Sequence, residues 1–392
     1  MKKTTKRAWG TRSGAAFALL ALSLTACDFD VVNPGVITED ALESPEAIDM
    51  ITNGFIADVE AAFEDLVFHT GLASDELTFS GTRSWLFYMS NGDMRTTDGE
   101  YTYDDAAKAV WTTVQGIERL TGLEATSQQI AVANLYAGFM HRTMGETFCG
   151  YVFDGGEMMD QEVWFTKALA YFQAAASGSG DVGTAAKAGQ AQTLMLLGRL
   201  SEAAQVAAGV PDDFAWWAHY TDQDTSILWE ETQNQTQASV WGTSIAALPE
   251  VDPRAPWIDK GILGAGGSVE YYEQEKYQDR SDDHALAKGW EMRLIEAEAL
   301  LTSGQWQDAM DRINHVRSAQ GIAEVTAASE AEAWTALKQE RLVELWLEGR
   351  RLADLSRWND PFLSGRDHCF PFSRGEINSN PNLAGCSGPA CS

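Results

Sequence analysis

Apolar residues recur with a helical period along almost the whole chain. Ser44-Pro45-Glu46 supplies a cap residue, a proline at the first helical position and an acid. Ile48, Ile51, Phe55, Val59, Ala62 and Phe63 follow at spacings that place them on one helix face. Ile130, Ala133, Ala137, Met140 and Met144 form a second stripe, ending at Gly145. The same period predicts helices over 160–176, 185–197, 200–209, 285–302, 306–319 and 330–356. Alternation of the strand type is scarce, so the predicted fold class is mainly α, in a single domain.

Two of these helix pairs share a phrase. Gly198-Arg199-Leu200-Ser201-Glu202-Ala203 and Gly304-Gln305-Trp306-Gln307-Asp308-Ala309 both read G-x-Φ-x-x-A between small-residue-rich amphipathic segments. A glycine turn followed by an alanine at the helix crossing is what a tetratricopeptide-type hairpin requires. The copies are far apart, which excludes a regular tandem solenoid. Two long irregular stretches are predicted, over 71–110 and 211–280, the second containing Pro211, Pro249, Pro253, Pro256 and a glycine-rich run at 264–267. Loops of this length in a compact domain usually carry function. Residues 359–392 form a C-terminal tail.

The N-terminus changes the picture of where the chain works. Lys2, Lys3, Lys6, Arg7 and Arg12 precede an apolar run from Ala15 to Leu24. That run is about half the ~20 residues a membrane-spanning helix needs, so residues 1–26 read as an export signal. Leu24-Thr25-Ala26-Cys27 resembles a bacterial lipobox, in which Cys27 is acylated and becomes the first residue of the mature chain, 27–392. An ordinary signal peptide with a coincidental cysteine is the alternative. The formal net charge is -29, from 57 acidic and 28 basic side chains. Such a charge repels nucleic-acid phosphates and anionic lipid surfaces, which excludes nucleic-acid binding and leaves the acyl chains as the membrane attachment.

Export also changes the cysteine arithmetic. Beyond Cys27 stand Cys149, Cys369, Cys386 and Cys391, an even number in an oxidising compartment. A bridge from Cys369 to Cys386 or Cys391 would pin the tail, contributing about 3 kcal/mol by loop entropy, with Cys149 in the remaining pair. Spacing does not fix the connectivity. No C-x-x-C or helical histidine pair accompanies these cysteines, so neither a metal nor a cofactor is expected.

The irregular stretches hold a concentration of aromatic residues. Phe79, Trp85, Phe87, Tyr88, Tyr101 and Tyr103 lie in the first, and Trp216, Trp217, Trp241, Trp257, Tyr271 and Tyr272 are among those in the second. A flat aromatic face beside hydrogen-bonding groups suits a sugar ring, one face of which is largely C–H. Trp85 with Arg83, Tyr88, Asn91 and Asp93 is one such combination; Trp257 with Arg254, Asp259 and Tyr271 is another. The competing reading is that these side chains pin irregular loops to the helical body.

The most specific segment is Glu340-Arg341-Leu342-Val343-Glu344-Leu345-Trp346-Leu347-Glu348-Gly349-Arg350-Arg351-Leu352-Ala353-Asp354-Leu355-Ser356-Arg357-Trp358. Read physically it is one amphipathic helix with i,i+3 and i,i+4 pairs joining Arg350 to Asp354, Glu348 to Arg351 and Asp354 to Arg357. Arginines near Glu340, Glu344 and Glu348 favour a structural ion-pair network over catalytic carboxylates. The segment resembles the signature helix of the SusD/RagB family of outer-membrane lipoproteins. Other stretches resemble the family in order: Cys27 through Asn33-Pro34, Gly71 through Glu76, Asp252-Pro253-Arg254, Met292 through Ala299, Ile313 through Arg317, and Pro371 through Leu383.

The resemblance implies a non-enzymatic lipoprotein with a tetratricopeptide-like scaffold and loop elaborations, the SusD-like fold. It implies a protein at the outer face of the cell outer membrane, forming a lid over a SusC-like TonB-dependent transporter. Its ligand would be an oligosaccharide, or in some members a peptide, captured for nutrient uptake. The chain is shorter than many members, its C-terminal cysteines are outside the motif, and Asp28 occupies a sorting position that lineages read differently. Enzyme signatures are weak: H-E-x-x-H, G-x-S-x-G and a phosphate-binding G-x-x-x-x-G-K are all missing from the sequence. Gly264-Ala265-Gly266 reads as a flexible loop, and Asp282-Asp283-His284 as a helix cap. The alternatives are a lipid-anchored scaffold for protein assembly and a lipid-anchored glycoside hydrolase, for which two carboxylates at the right separation suffice.

Overall fold

The computed structural model describes residues 39–98, 100–223 and 226–391, so the predicted leader and Cys27 lie outside the described residues. Residues Glu39–Glu43 form a short 3-10 turn in a unit separate from the body, which begins at Ser44. Among the described residues no helix is long and apolar enough to cross a membrane.

The body is mainly helical, as the apolar period requires. Its helices are α1 (Ile48–Ala73), α2 (Ser84–Ser90), α3 (Glu100–Gly122), α4 (Ser127–Thr147), α5 (Glu162–Ala175), α6 (Asp181–Leu196) and α7 (Leu200–Ala207). After the single turn α8 (Ile227–Trp229) come α9 (Gly289–Thr302), α10 (Trp306–Ala319), α11 (Glu330–Glu344), α12 (Arg351–Arg357) and α13 (Arg374–Ser379). Successive helices pack as neighbours from α3 through α7, with α1 against both α3 and α4. Phe55, Val59, Phe63, Val67 and Phe139 are buried in the principal core. A smaller core joins α9, α10 and α11 through Leu294, Leu301, Ile313, Val316 and Leu337.

The two copies of the repeated phrase do form hairpins. Gly198 and Gly304 turn with φ of 71° and 78°, a region open to glycine at little cost, and Ala203 and Ala309 are buried at the crossings. Helix α7 lies directly against α9, so hairpins remote in sequence stack side by side.

Among the described residues, eight short strands pair antiparallel in four two-stranded ribbons: β1 (Thr78–Phe79) with β5 (Ala238–Ser239), β2 (Gly150–Tyr151) with β3 (Met159–Asp160), β4 (Ala215–Ala218) with β8 (His284–Lys288), and β6 (Trp257–Leu263) with β7 (Glu270–Gln274). The expected irregular stretch over 71–110 is therefore interrupted by helix α2, and 285–288 is strand rather than helix. Asp282 and Asp283 do not cap α9. Asp282 accepts from the amides of Gln278 and Asp279, and Asp283 pairs with His219 at 2.9 Å.

The signature segment departs most from expectation. It is two helices, α11 and α12, separated by a buried reversal in which Leu347 has φ 54° and Gly349 φ 76°. A β-carbon makes that conformation costly at Leu347, and the surroundings hold it there. Its amide donates to Glu76 Oε1 at 2.8 Å, and its carbonyl accepts from the Tyr277 hydroxyl at 3.3 Å. Lys276 Nζ donates to Trp346 O at 2.6 Å and Glu348 Oε1 at 2.7 Å, while Lys288 Nζ reaches Glu344 O at 2.6 Å and Glu348 Oε1 at 2.8 Å. The expected i,i+3 pair of Glu348 with Arg351 is replaced by these lysines, and Arg351 instead grips Asp75 at 2.6 and 2.7 Å. Arg350 points to Leu286 O at 2.6 Å and toward Glu291, not to Asp354. Of the expected pairs, Asp354 with Arg357 forms, at 2.7 Å.

The disulfides join Cys149 to Cys369 and Cys386 to Cys391. The bridge expected from Cys369 to the last cysteines is thus not made; the tail is tied to the end of α4, where Phe148 and Phe370 also form a parallel bridge.

Burial pushes the Glu76 carboxyl up to about 8, only partly offset by the Leu347 amide, and pushes Glu64 up to about 7 against the Ser226 and Leu228 hydrogen bonds. Each folded value exceeds the ordinary 4.5, so the stability these groups contribute is fully present below about pH 4.5 and is lost as pH rises through the folded value. Glu76→Gln, which imitates the neutral acid, is expected to raise the melting temperature by a few degrees at about pH 8, with the gain shrinking toward pH 4.5. Thermal unfolding of both proteins across that range checks this; a pH-independent difference would refute it.

Candidate functional site

The two aromatic-rich stretches meet on the segment 226–240. Ser226 Oγ donates to Glu64 Oε1 of α1 at 2.6 Å, and the Leu228 amide donates to the same oxygen at 2.7 Å. Beyond the turn, Gln237 Oε1 accepts from the Thr82 amide at 2.8 Å, and the Gln237 carbonyl accepts from the Ser80 amide at 2.9 Å. Strand β5 then joins β1 to β7, because the Val240 amide donates to Tyr272 O at 2.9 Å and Ser239 Oγ to Glu270 O at 2.8 Å.

The run at 264–267 closes the layer. Gly266 donates to Ser80 O at 2.8 Å, and a β-carbon on it would lie 2.2 Å from Gly81 O. Close backbone approach, rather than looseness, is what its glycines serve, which corrects the flexible-loop expectation.

The expected contact residues separate into two groups on this layer. Trp85 is half-buried, with its ring 5.4 Å from that of His69. Tyr88 carries the Arg95 guanidinium 3.4 Å above its ring, and Asn91, exposed, donates back to Phe87 O at 2.7 Å. Trp257 lies flat on Tyr272, centroids 4.8 Å apart and planes 6° from parallel. Arg83, on the same layer, is ion-paired with Glu231 and hydrogen-bonded to Gln235. Arg254 and Tyr271 are structural instead. Arg254 is enclosed by Asp252, Glu340 and Glu344, and Tyr271 is buried with its hydroxyl bonded to Thr232 O and Glu273. Neither has a face left for a ligand.

Phe87, 49% exposed, and Tyr272 are better-presented rings than Tyr271. Strand alternation is the signal that could have separated 271 from 272, had β7 been recognised. Sequence reasoning also missed a cavity of about 490 Å³ between α1, α3 and the loop after β4, lined by Glu60, Glu64, Asp65, Asp105, His219 and Tyr220. Burial and the neighbouring Asp65 push the Asp105 carboxyl up. Burial would raise Asp65 too, but His69 and Thr102 hold it below the usual range.

Among the described residues, no group of three histidine, cysteine or carboxylate side chains is placed to hold a metal ion. The carboxylates of the signature segment are ion-paired: Glu340 with Arg254 and Arg317, Glu344 with Lys288, and Glu348 with Lys276 and Lys288.

A family model described as the SusD family matches residues 268–382, which include β7 and β8, the α9–α10 hairpin and the broken signature segment. Over those residues the chain is similar to the SusD family. Solved structures extend the likeness of fold beyond the matched residues. A SusD superfamily protein from Bacteroides fragilis is 14% identical, with 87% of this chain and 99% of that one covered at a TM-score of 0.68. One from Parabacteroides distasonis is 11% identical over 88% and 98%, at 0.67. A SusD-like carbohydrate binding protein from Bacteroides vulgatus is 12% identical over 80% and 83%, at 0.61. No curated protein matched the sequence. At such identities the SusD-like fold is what the structures share with this chain.

This layer separates anchors from faces, and the two should respond differently to truncation. Arg254→Ala leaves buried Glu340 with one cation fewer and is expected to cost about 3–5 kcal/mol of stability. Trp85→Ala, which removes a half-buried ring from a short helix, is expected to cost much less. Denaturant unfolding of the two variants measures the order, and the reverse order would overturn the division.

Proposed function

We propose that this protein is a member of the SusD family and a lipid-anchored, surface-exposed capture protein of the outer membrane, binding an uncharged oligosaccharide and handing it to a SusC-like TonB-dependent transporter. The family match carries the general reading, nutrient uptake by carbohydrate binding without catalysis. Acylation at Cys27 supplies the anchor, and capture followed by closure over the transporter supplies the mechanism.

The choice of ligand rests on the layer described above. The Trp257–Tyr272 stack and the Trp85–Phe87–Tyr88 helix offer flat rings to the C–H face of a sugar. An acidic glycan would need free cations. Arg83, Arg95 and Arg254 are each committed to a carboxylate, and Lys260 to Glu273 at 2.8 Å, on a chain of net charge -29. Stacking and neutral hydrogen bonds are what remains, and these favour an uncharged saccharide over a uronate or a phosphorylated one.

Gentle solubilisation of the outer membrane and pull-down of the lipidated chain should recover a large TonB-dependent barrel; a clean preparation without one would end the lid role. Calorimetry against neutral and uronate oligosaccharides should give binding to the neutral class alone. Trp85→Ala or Trp257→Ala should weaken that binding about tenfold each, from loss of roughly 1–1.5 kcal/mol of stacking. Unchanged affinity in both variants would remove these rings from the site.

A further inference from the structure

The support beneath Trp85 contains two buried polar atoms without a hydrogen-bond partner, His69 Nε2 and Glu231 Oε2. His69, on α1, is 2% exposed, and Glu231, in the turn after α8, is 1% exposed. The other nitrogen of His69, Nδ1, lies 3.2 Å from Thr102 Oγ1 on α3 and 3.4 Å from Asp65 Oδ1 one helical turn earlier. Its ring packs 5.1 Å from that of Phe68 and 5.4 Å from the Trp85 indole. The other oxygen of Glu231 holds Arg83, two residues before Trp85.

The charges around His69 do not balance without it. Asp65 and Glu231 act on the imidazole directly; Glu64 and Asp105 stand behind Asp65, and Glu230 behind Glu231. Arg83 faces Glu231 as the cation of the loop. A proton on His69 adds a second cation beside the half-buried Asp65 and the buried Glu231, and places an imidazolium within cation–π range of the indole.

We propose that His69 is a proton-operated positioning residue for Trp85, holding the indole while charged between Asp65 and Glu231 and releasing it when neutral. The consequence for capture rests on Trp85 being a ligand face, as proposed above. Burial lowers the proton affinity of His69, but Asp65 first and Glu231 after it outweigh burial, and the net direction is upward. The proton is therefore held to a higher pH than on an ordinary imidazole, and lost as pH rises through that raised value. The Trp85 face is firm on the acid side and loosened on the alkaline side.

The test needs no ligand. Imidazole resonances of the full chain are followed by NMR from about pH 5 to 9, with His69 assigned through His69→Gln. Because coupling is reciprocal, removing the indole must weaken proton binding: Trp85→Leu should lower the His69 midpoint by about 0.5 unit. Glu231→Gln should lower it further, by removing a buried negative charge. The emission difference between the parent protein and Trp85→Leu should titrate with the parent's midpoint, through quenching by the imidazolium. A midpoint unmoved by Trp85→Leu, or flat Trp85 emission across the range, overturns the proposal even if His69→Gln fails to fold. Intact coupling in a protein that binds no saccharide would support the proton-operated positioning and sink the ligand reading instead.

Discussion

The buried reversal between α11 and α12 is the constraint on which the rest of the molecule depends. A chain that turns inside a core must find partners for every amide and carbonyl it exposes, because water is not there to do it. Here the partners are side chains from distant segments: the Glu76 carboxyl to Leu347 N, and the ammonium groups of Lys276 to Trp346 O and Lys288 to Glu344 O. The lysines bring positive charge into the core, and Glu348 neutralises both at 2.7 and 2.8 Å. Glu348 is consequently held below the ordinary carboxylate range despite a burial that alone would raise it. Remove any member and a buried charge or an orphaned amide or carbonyl is left, which costs more than the intact contact contributes.

The same reversal also anchors the aromatic layer. Lys276 and Tyr277 follow β7 directly, so the ribbon carrying the Trp257–Tyr272 stack is tied to the reversal at its base. Arg254 ties the start of that ribbon to Glu340 and Glu344 at the end of α11. Asp75 does the same for the first stretch, holding Arg351 of α12 and Ser244 Oγ at 2.5 Å. A recognisable sequence motif is thus a clamp for the surface, and its charges are consumed in that task rather than left for chemistry. Function on this scaffold falls to residues the clamp leaves uncommitted.

This explains which features were legible beforehand. Apolar period and glycine punctuation report local packing, so α1, α4, α9 and α10 and both G-x-Φ-x-x-A turns could be read closely from the sequence. The reversal could not: Leu342, Leu345 and Leu352 keep helical spacing across it, and only Gly349 hints at a break. Its cause lies in Glu76, Lys276 and Lys288, none of them near in sequence. Arg254 and Tyr271 were misplaced for the same reason, since nothing local says that an arginine meets Glu340 or that a tyrosine faces inward. The disulfides add a further case, Cys149 and Cys369 being brought together by a β-bridge that periodicity does not report.

Helix α1 shows how scaffold and surface share one set of residues. Its apolar stripe, Phe55, Val59 and Phe63, enters the core, while Glu60 and Glu64 on a neighbouring face fix the returning segment: the His219 amide donates to Glu60 Oε1 at 3.0 Å, and the Tyr220 hydroxyl donates to Glu60 O at 2.7 Å. Glu64 takes up Ser226 and Leu228, and one turn further on His69 reaches the underside of Trp85. A single helix therefore positions residues 219–220, residues 226–228 and α2 together. The aromatic faces cannot shift independently of the acidic cavity beside α1, because Glu64 and Asp65, which line it, are the residues that hold Ser226 and His69. On the positioning role proposed for His69, the protonation of this end of α1 and the position of the indole are parts of one equilibrium, and a ligand that moves Trp85 is felt at those carboxylates.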